Sequence, residues 1–204
     1  MKVQIKGARL FFARNVFNAT KPRTASADAK LKYQLEAAID PGSENHRLIK
    51  EALLKEANAK TQGKGVEKLK QIAAAGNLWV LRDGDLRVDN NGDTRPEYKG
   101  KLIVSAKNEV RPLVLGGGPD GRAPLTEADG KLYSGCFVNA IIDVQIGDKP
   151  KWQAYAYLLG VQFAGDGERT GGGSIAHMDD FEAIPGTEGE DATAPKSAAD
   201  ALFS

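Results

Sequence analysis

Cysteine is almost missing from this chain, and that scarcity removes several classes of protein. A single thiol, Cys136, cannot close an internal disulfide. With only His46 and His177 beside it, the chain lacks the ligands of a structural zinc site. Long apolar runs are missing too: none approaches the about 18 residues that a membrane span requires. The start, Met1-Lys2-Val3-Gln4-Ile5-Lys6, has no apolar stretch of the kind a signal peptide needs. No repeat recurs at a solenoid or propeller period. These absences predict an intracellular, cytoplasmic fold that uses neither metal nor cofactor. The 204 residues suffice for one good core or two small ones.

What is present is an uneven division of charge. The total is only +1, from 28 Lys+Arg and 27 Asp+Glu. Residues 166–204 hold nine acids and two bases, a net of −7, which leaves residues 1–165 at +8. A basic body attracts polyanions, and an acidic arm on the same chain can compete for that surface or recruit a basic partner.

Periodicity organises the body into strands around a helical insertion. Lys2 to Phe12 reads as a strand kinked near Gly7. From Ala29 to Ile39, Leu31, Tyr33, Leu35, Ala37 and Ile39 share one face, with Lys30, Lys32, Gln34 and Glu36 on the other. Asp40-Pro41-Gly42 ends that strand, and Ser43 is placed to cap a helix running to about Lys60. Val66 to Ala75 makes a second helix, closed by Gly76, so the insertion covers about residues 43–76. Strands follow at 77–82, 101–107 and 111–115, and 136–146 and 151–163 flank a turn at Gly147-Asp148-Lys149-Pro150. The predicted fold is therefore mainly β with a helical insertion over residues 1–165, an OB-like Greek-key barrel, followed by a flexible, disordered acidic tail at 166–204. Composition alone also allows another α+β sheet.

No catalytic constellation stands out. Cys136 lies inside a strand with no histidine near it in sequence, which suits a buried structural thiol. Asp83-Gly84-Asp85 and the Asp89 to Asp93 stretch lack the spacing of a calcium loop and read as turns. Gly116-Gly117-Gly118 is followed by no Lys-Ser/Thr and opens no helix, so it is not a phosphate loop. Binding is better supported, because aromatic and basic residues recur together. Rings stack unpaired bases while cations track the phosphates. In the last strand Lys151, Gln153, Tyr155 and Tyr157 share one parity. The candidate phosphate contacts are Arg9, Arg14, Lys30, Lys32, Arg82, Lys101, Lys107 and Lys151, and the candidate stacking rings are Phe12, Trp79, Tyr155 and Tyr157. At the end of the acidic arm, Asp200, Leu202 and Phe203 form a candidate docking tip for a partner.

Four segments carry a resemblance. Ala8-Arg9-Leu10-Phe11-Phe12 through Phe17, Leu81-Arg82-Asp83-Gly84-Asp85, Tyr133-Ser134-Gly135-Cys136, and Leu159-Gly160-Val161-Gln162-Phe163 through Gly167-Glu168 occur in this order. Together they resemble the phage-encoded single-stranded DNA-binding proteins, over most of residues 1–170. The resemblance implies an OB fold, sequence-tolerant binding of single-stranded DNA, no catalysis, and a role in phage replication or recombination. The acidic tail is similar to those through which other replication single-strand binders recruit partner proteins, although this chain ends in a serine after Phe203. The expected partner is single-stranded DNA, with replication or recombination proteins at the tail, no membrane, and homo-oligomerisation left open. Two other readings stand beside this one. One is a phage adaptor or structural protein whose basic face meets an acidic protein, and the other is a metal-dependent nuclease using Asp83, Asp85 and Asp93.

Overall fold

One long bent strand organises the molecule. In the computed structural model, which describes residues 1–21, 28–88 and 95–170, strand β1 runs from Lys2 to Phe11. Gly7, at φ 61°, sits where the pairing register of β1 shifts between Ile5 and Ala8, so the predicted kink is a β-bulge. β1 pairs with strand β7 (Phe137–Gly147) on both sides of the bulge, from Lys2 to Arg9, while its last residues, Arg9 to Phe11, also pair with β2 (Tyr33–Ile39).

The remaining strands are β3 (Leu81–Asp83), β4 (Leu102–Asn108), β5 (Leu113–Gly117), β6 (Ala123–Pro124) and β8 (Gln153–Gly165). They form a single sheet in the order β3-β4-β2-β1-β7-β8-β5-β6. Its middle closes on itself through Asn77–Val80. The Trp79 amide donates to the Ala154 carbonyl at 2.8 Å, the Ala154 amide to Asn77 at 3.0 Å, and the Ser105 amide to Val80 at 3.0 Å. That short stretch thus bridges β8 and β4. The ring β1–β2–β4–β8–β7, renumbered along the chain, reads 1-2-3-5-4, the five-stranded Greek-key barrel expected of an OB fold.

Alternation fills the barrel. On β7, Val138, Ala140, Ile142, Val144 and Ile146 are buried; on β8, Ala154, Ala156 and Leu158 are. Each large aliphatic side chain buried in this way contributes about 1.5–3 kcal/mol. Helix α1 (Arg14–Phe17) follows β1 and buries Val16 and Phe17. Helix α2 (Glu44–Thr61) is capped by Ser43, whose hydroxyl accepts from the His46 amide, and it presents Ile49, Ala52, Leu53 and Ala57 to the same core. Helix α3 (Gly65–Ala74) adds Ile72, and Gly76 at φ 68° turns the chain away after it. Outside the barrel a small second cluster, Phe11, Ala38, Tyr98 and Ile103, packs under the turn at Pro96–Tyr98, with the Phe11 and Tyr98 rings edge to face at 4.7 Å.

Several expectations change in detail. The strand predicted from Ala29 begins at Tyr33, because only Lys32, through a bridge to Thr20, finds a partner before it; Leu31 is exposed. Of the strand predicted at 77–82, only Leu81 and Arg82 pair as a strand with β4, and β3 continues to Asp83. The parallel pairing of β5 on β8 was not foreseen. It explains the glycine run: Gly116 is at φ 147°, and a Cβ there would lie 2.6 Å from Phe163, so β5 could not approach β8 with a larger residue. Finally, residues 166–170 pack on the body. The Tyr133 hydroxyl donates to Asp166, the Thr170 amide donates to the Ser134 carbonyl, and Arg169 lies over the Tyr133 ring at 4.2 Å. The barrel unit accordingly runs past the predicted boundary at 165. The rest of the predicted acidic tail, with Asp200, Leu202 and Phe203, lies outside the described residues, as do Pro22, Arg23 and Thr24 and the Asp89 to Asp93 stretch.

Candidate nucleic-acid interface

A groove of about 680 Å³ opens on the outer wall of the barrel, across β2, β4 and the start of β8. Parity explains who lines it. The inward residues of these strands make the core, so their alternate neighbours, Gln34 and Glu36 on β2, Ser105 and Lys107 on β4, and Gln153, Tyr155 and Tyr157 on β8, face out into one trough. Lys30 and Lys32 enter from the segment leading into β2, Arg82 from β3, Arg87 from the turn after it, and Glu109 from the end of β4.

The rings reach the groove by specific backbone devices. Phe12 adopts φ 51°, a left-handed conformation rare for a large side chain, just where β1 ends. The ring is 41% exposed at the groove instead of joining Phe11 in its cluster, and the Arg95 guanidinium lies 5.5 Å from its centroid. Strain of this kind costs on the order of 1–3 kcal/mol and tends to collect at functional positions. Trp79 is pinned by its amide to Ala154; Val80 beside it is fully buried, so the indole faces outward at 37% exposure. Tyr157 is 42% exposed, and Tyr155 meets it edge to face at 5.4 Å.

The electrostatics are those of crowded cations. Five bases (Lys30, Lys32, Arg82, Arg87, Lys107) and two acids (Glu36, Glu109) line the groove, a net of +3. Burial and then the neighbouring Arg87 lower the pKa of Arg82. Burial, then Arg82, with Lys32 and Arg87 behind, lower that of Lys107. Cations that depress one another make a site that gains from an incoming anion. Glu36 fixes one of them: both its oxygens accept from Arg87 at 2.7 Å, and the Tyr98 hydroxyl donates to it at 3.0 Å. Burial first, then the charge of Glu36 and the hydrogen bond to it, raise the Tyr98 pKa. Glu109 meets Lys30 at 2.9 Å and Lys32 at 3.7 Å, and the Lys30 bond holds its carboxyl below the usual range.

Eight of the twelve predicted residues therefore come together here: Phe12, Lys30, Lys32, Trp79, Arg82, Lys107, Tyr155 and Tyr157. Four do not. Arg9 donates to the Glu168 carbonyl at 3.0 Å, Arg14 faces Glu127 at 4.0 Å, Lys101 bonds Asp40, and Lys151 sits exposed at the turn before β8. Sequence reasoning missed Arg87, Asn15, Glu109, Gln34, Ser105 and Gln153 as lining residues. For Gln34, Ser105 and Gln153 the signal existed, since they share the outward parity of residues already chosen; Arg87 lies in a turn and Asn15 in the single-turn helix α1, and neither has a period to read. Elsewhere, Asp83 and Asp85 build their own turn: the Asp85 amide donates to Asp83, and Asp85 accepts from the Gly100 amide. Cys136 is fully buried, and burial pushes its thiol up. Among the described residues no group of three His, Cys, Asp or Glu could hold a metal ion, and no helix is long and apolar enough to cross a membrane.

Comparison with known proteins gives the fold and the family. The fold is shared with the single-stranded DNA-binding protein of bacteriophage Enc34 solved in complex with ssDNA, at TM-score 0.62 and 23% identity over 83% of this chain and 89% of that one. A C-terminal truncation of the same phage protein gives TM-score 0.61 and 21% identity, over 82% and 88%. In sequence, putative protein p50 of Acyrthosiphon pisum secondary endosymbiont phage 1 is 32% identical over 194 residues, covering 94% of this chain and 98% of that protein. The family model described as "Enterobacter phage Enc34, ssDNA-binding protein" matches residues 1–193, nearly the whole chain, and so a barrel with a ring-lined basic groove belongs to the Enc34 single-stranded DNA-binding protein family.

Proposed function

We propose that this chain binds single-stranded DNA along the groove, without catalysis and with little regard to sequence, and so protects and organises single strands during phage replication or recombination in the host cytoplasm. One observation carries the reading: rings and cations stand on one continuous trough, with Phe12, Trp79 and Tyr157 exposed beside Lys30, Lys32, Arg82 and Lys107, and Arg87 joining them from a turn. Rings can stack only on bases that are not already paired, while the cations follow the sugar–phosphate backbone. Family membership supports the same function. An anisotropy titration with oligo-dT and with duplex DNA tests it. Single strands should bind more tightly, with a log–log salt slope up to about −3.5 if all five cations meet phosphates. Duplex preference or salt-independent binding would overturn the proposal.

The tail belongs to the same reading. Residues 171–204 carry seven acids and one base, a net of −6, and compete with DNA for the basic trough or, through Asp200, Leu202 and Phe203, recruit replication proteins. A chain ending at Thr170 keeps the contacts of Asp166 and Arg169 with Tyr133. It should bind oligo-dT several-fold more tightly than the full chain at low salt. Equal or weaker binding would remove the competing role.

A further inference from the structure

The two acids of the groove are built differently. Glu36 lies on the floor, largely shielded, with both oxygens given to Arg87 and a third bond from Tyr98. Glu109 lies at the edge, about half exposed, and its two oxygens are divided between two lysines: Oε2 at 2.9 Å from Lys30 Nζ and Oε1 at 3.7 Å from Lys32 Nζ. Two ammonium groups converging on one pair of acidic oxygens is also the arrangement in which they would hold a phosphate.

We propose that Glu109 is a resident counter-anion: it occupies the phosphate position between Lys30 and Lys32, and an incoming strand must displace it, so that Glu109 sets the affinity and salt dependence of the groove. The proposal rests on the reading of the groove as a single-strand site. While Glu109 holds them, the two ammonium groups stay together at the groove edge, although the Lys30 side chain is largely exposed. When a phosphate takes them over, the carboxylate is left beside a polyanion and must draw in a cation or swing away. Either response cancels part of the charge gained, so the groove acts as though it neutralised about one phosphate fewer than its cations allow.

Two variants that remove the same charge from the same trough separate this from a general electrostatic effect. Glu109→Gln should tighten oligo-dT binding on the order of three- to tenfold at low salt and steepen the log–log salt slope by about 0.7. Glu36→Gln should not tighten binding, because it removes the charge that holds Arg87 in the groove; a several-fold loss is expected. In a Lys30→Ala/Lys32→Ala background, Glu109→Gln should give back less than about twofold, since the pair it competes for is gone. Thermal midpoints accompany each variant. If the wild-type protein fails to hold oligo-dT, the single-strand reading falls, and this inference with it. If it binds but Glu109→Gln leaves affinity and slope unchanged, or if Glu36→Gln tightens equally, the counter-anion role alone is overturned.

Discussion

Among the described residues, strand β8 contributes to two unlike outward grooves of the barrel wall. The larger, described above, takes Gln153, Tyr155 and Tyr157 from its first half. The smaller, about 220 Å³, takes Gly160, Val161 and Gln162 from its second half and is completed by Gln4, Leu113, Leu115, Arg122, Asn139 and Ile141. Between them the pairing slips: Ile142 faces Leu158 but Ile141 faces Gly160, so Leu159 is an extra residue. That bulge reverses the parity, and the inward residues change from Ala154, Ala156 and Leu158 to Val161. One strand thus presents tyrosines on one groove and a glycine with amide and aliphatic neighbours on the other. The smaller groove has one cation and exposed aliphatics, Leu113 at 59% and Ile141 at 43%, where the larger has five cations and four rings. The charge and ring content of each groove thus follow from which residues occupy the outward positions of particular strands.

The strongest way to break this comparison is to reverse charge on each side. Lys32→Glu with Lys107→Glu should lower oligo-dT affinity about 100-fold at low salt and flatten the log–log salt slope by about 1.4. Arg122→Glu, in the smaller groove, should change affinity by less than about twofold. Comparable losses from both would mean that the whole surface, rather than one groove, attracts DNA.

Next in size are the rings. Trp79→Ala and Tyr157→Ala should each cost about 1–3 kcal/mol of binding, the range for one stacked base. Ile141→Ala should cost nothing measurable, although it is just as exposed. Fluorescence sharpens the test. Of the two tryptophans, Trp152 is half-buried with Lys68 over its ring at 4.6 Å, whereas Trp79 faces the groove. Quenching by oligo-dT should vanish in Trp79→Phe and persist in Trp152→Phe.

Much of this groove was legible in advance, for a physical reason. A barrel strand obeys a period of two, so once Leu35, Ala37 and Ile39 are recognised as core, Gln34 and Glu36 must face out; the same holds for Lys107 opposite Val104 and Ala106, and for Tyr155 and Tyr157 opposite Ala154 and Ala156. Period does not say which outward face a residue joins. Lys101 and Lys107 share a strand parity, yet Lys101 ends at Asp40 while Lys107 lies in the groove. Arg9 was drawn away by Glu168, a partner 159 residues distant that no local pattern announces. Arg87 entered from a turn, and the bulge at Leu159, which splits β8 between two grooves, leaves no mark on composition. The ring closure is legible only in part: the apolar alternation around Trp79 suggested a strand, but its role as a bridge between β4 and β8 depends on backbone bonds to Ala154 and Ser105.

A smaller effect separates the grooves by pH, because tyrosines occur in only one of them. Burial first, then its hydrogen bond with Tyr157, pushes the Tyr155 hydroxyl from 10.0 up to about 12. The phenolate is thereby disfavoured in the folded state, while the unfolded chain titrates near the ordinary value of about 10. A group whose folded pKa is raised stabilises fully below the unfolded value and loses that contribution as pH climbs through the folded one. The thermal midpoint should accordingly hold steady below pH about 10 and decline towards about 12, with Tyr155→Phe removing part of the decline. Tyr98, raised by burial and by Glu36, supplies another part. Substitutions at Leu113 or Ile141 should leave the shape of the curve unchanged. In Tyr157→Phe, the phenolate absorbance of Tyr155 should appear at lower pH than in the wild type but still above the ordinary value, since the hydrogen bond is gone and the burial remains. An unshifted titration in that variant would mean that the two rings only touch, and that burial alone distinguishes Tyr155.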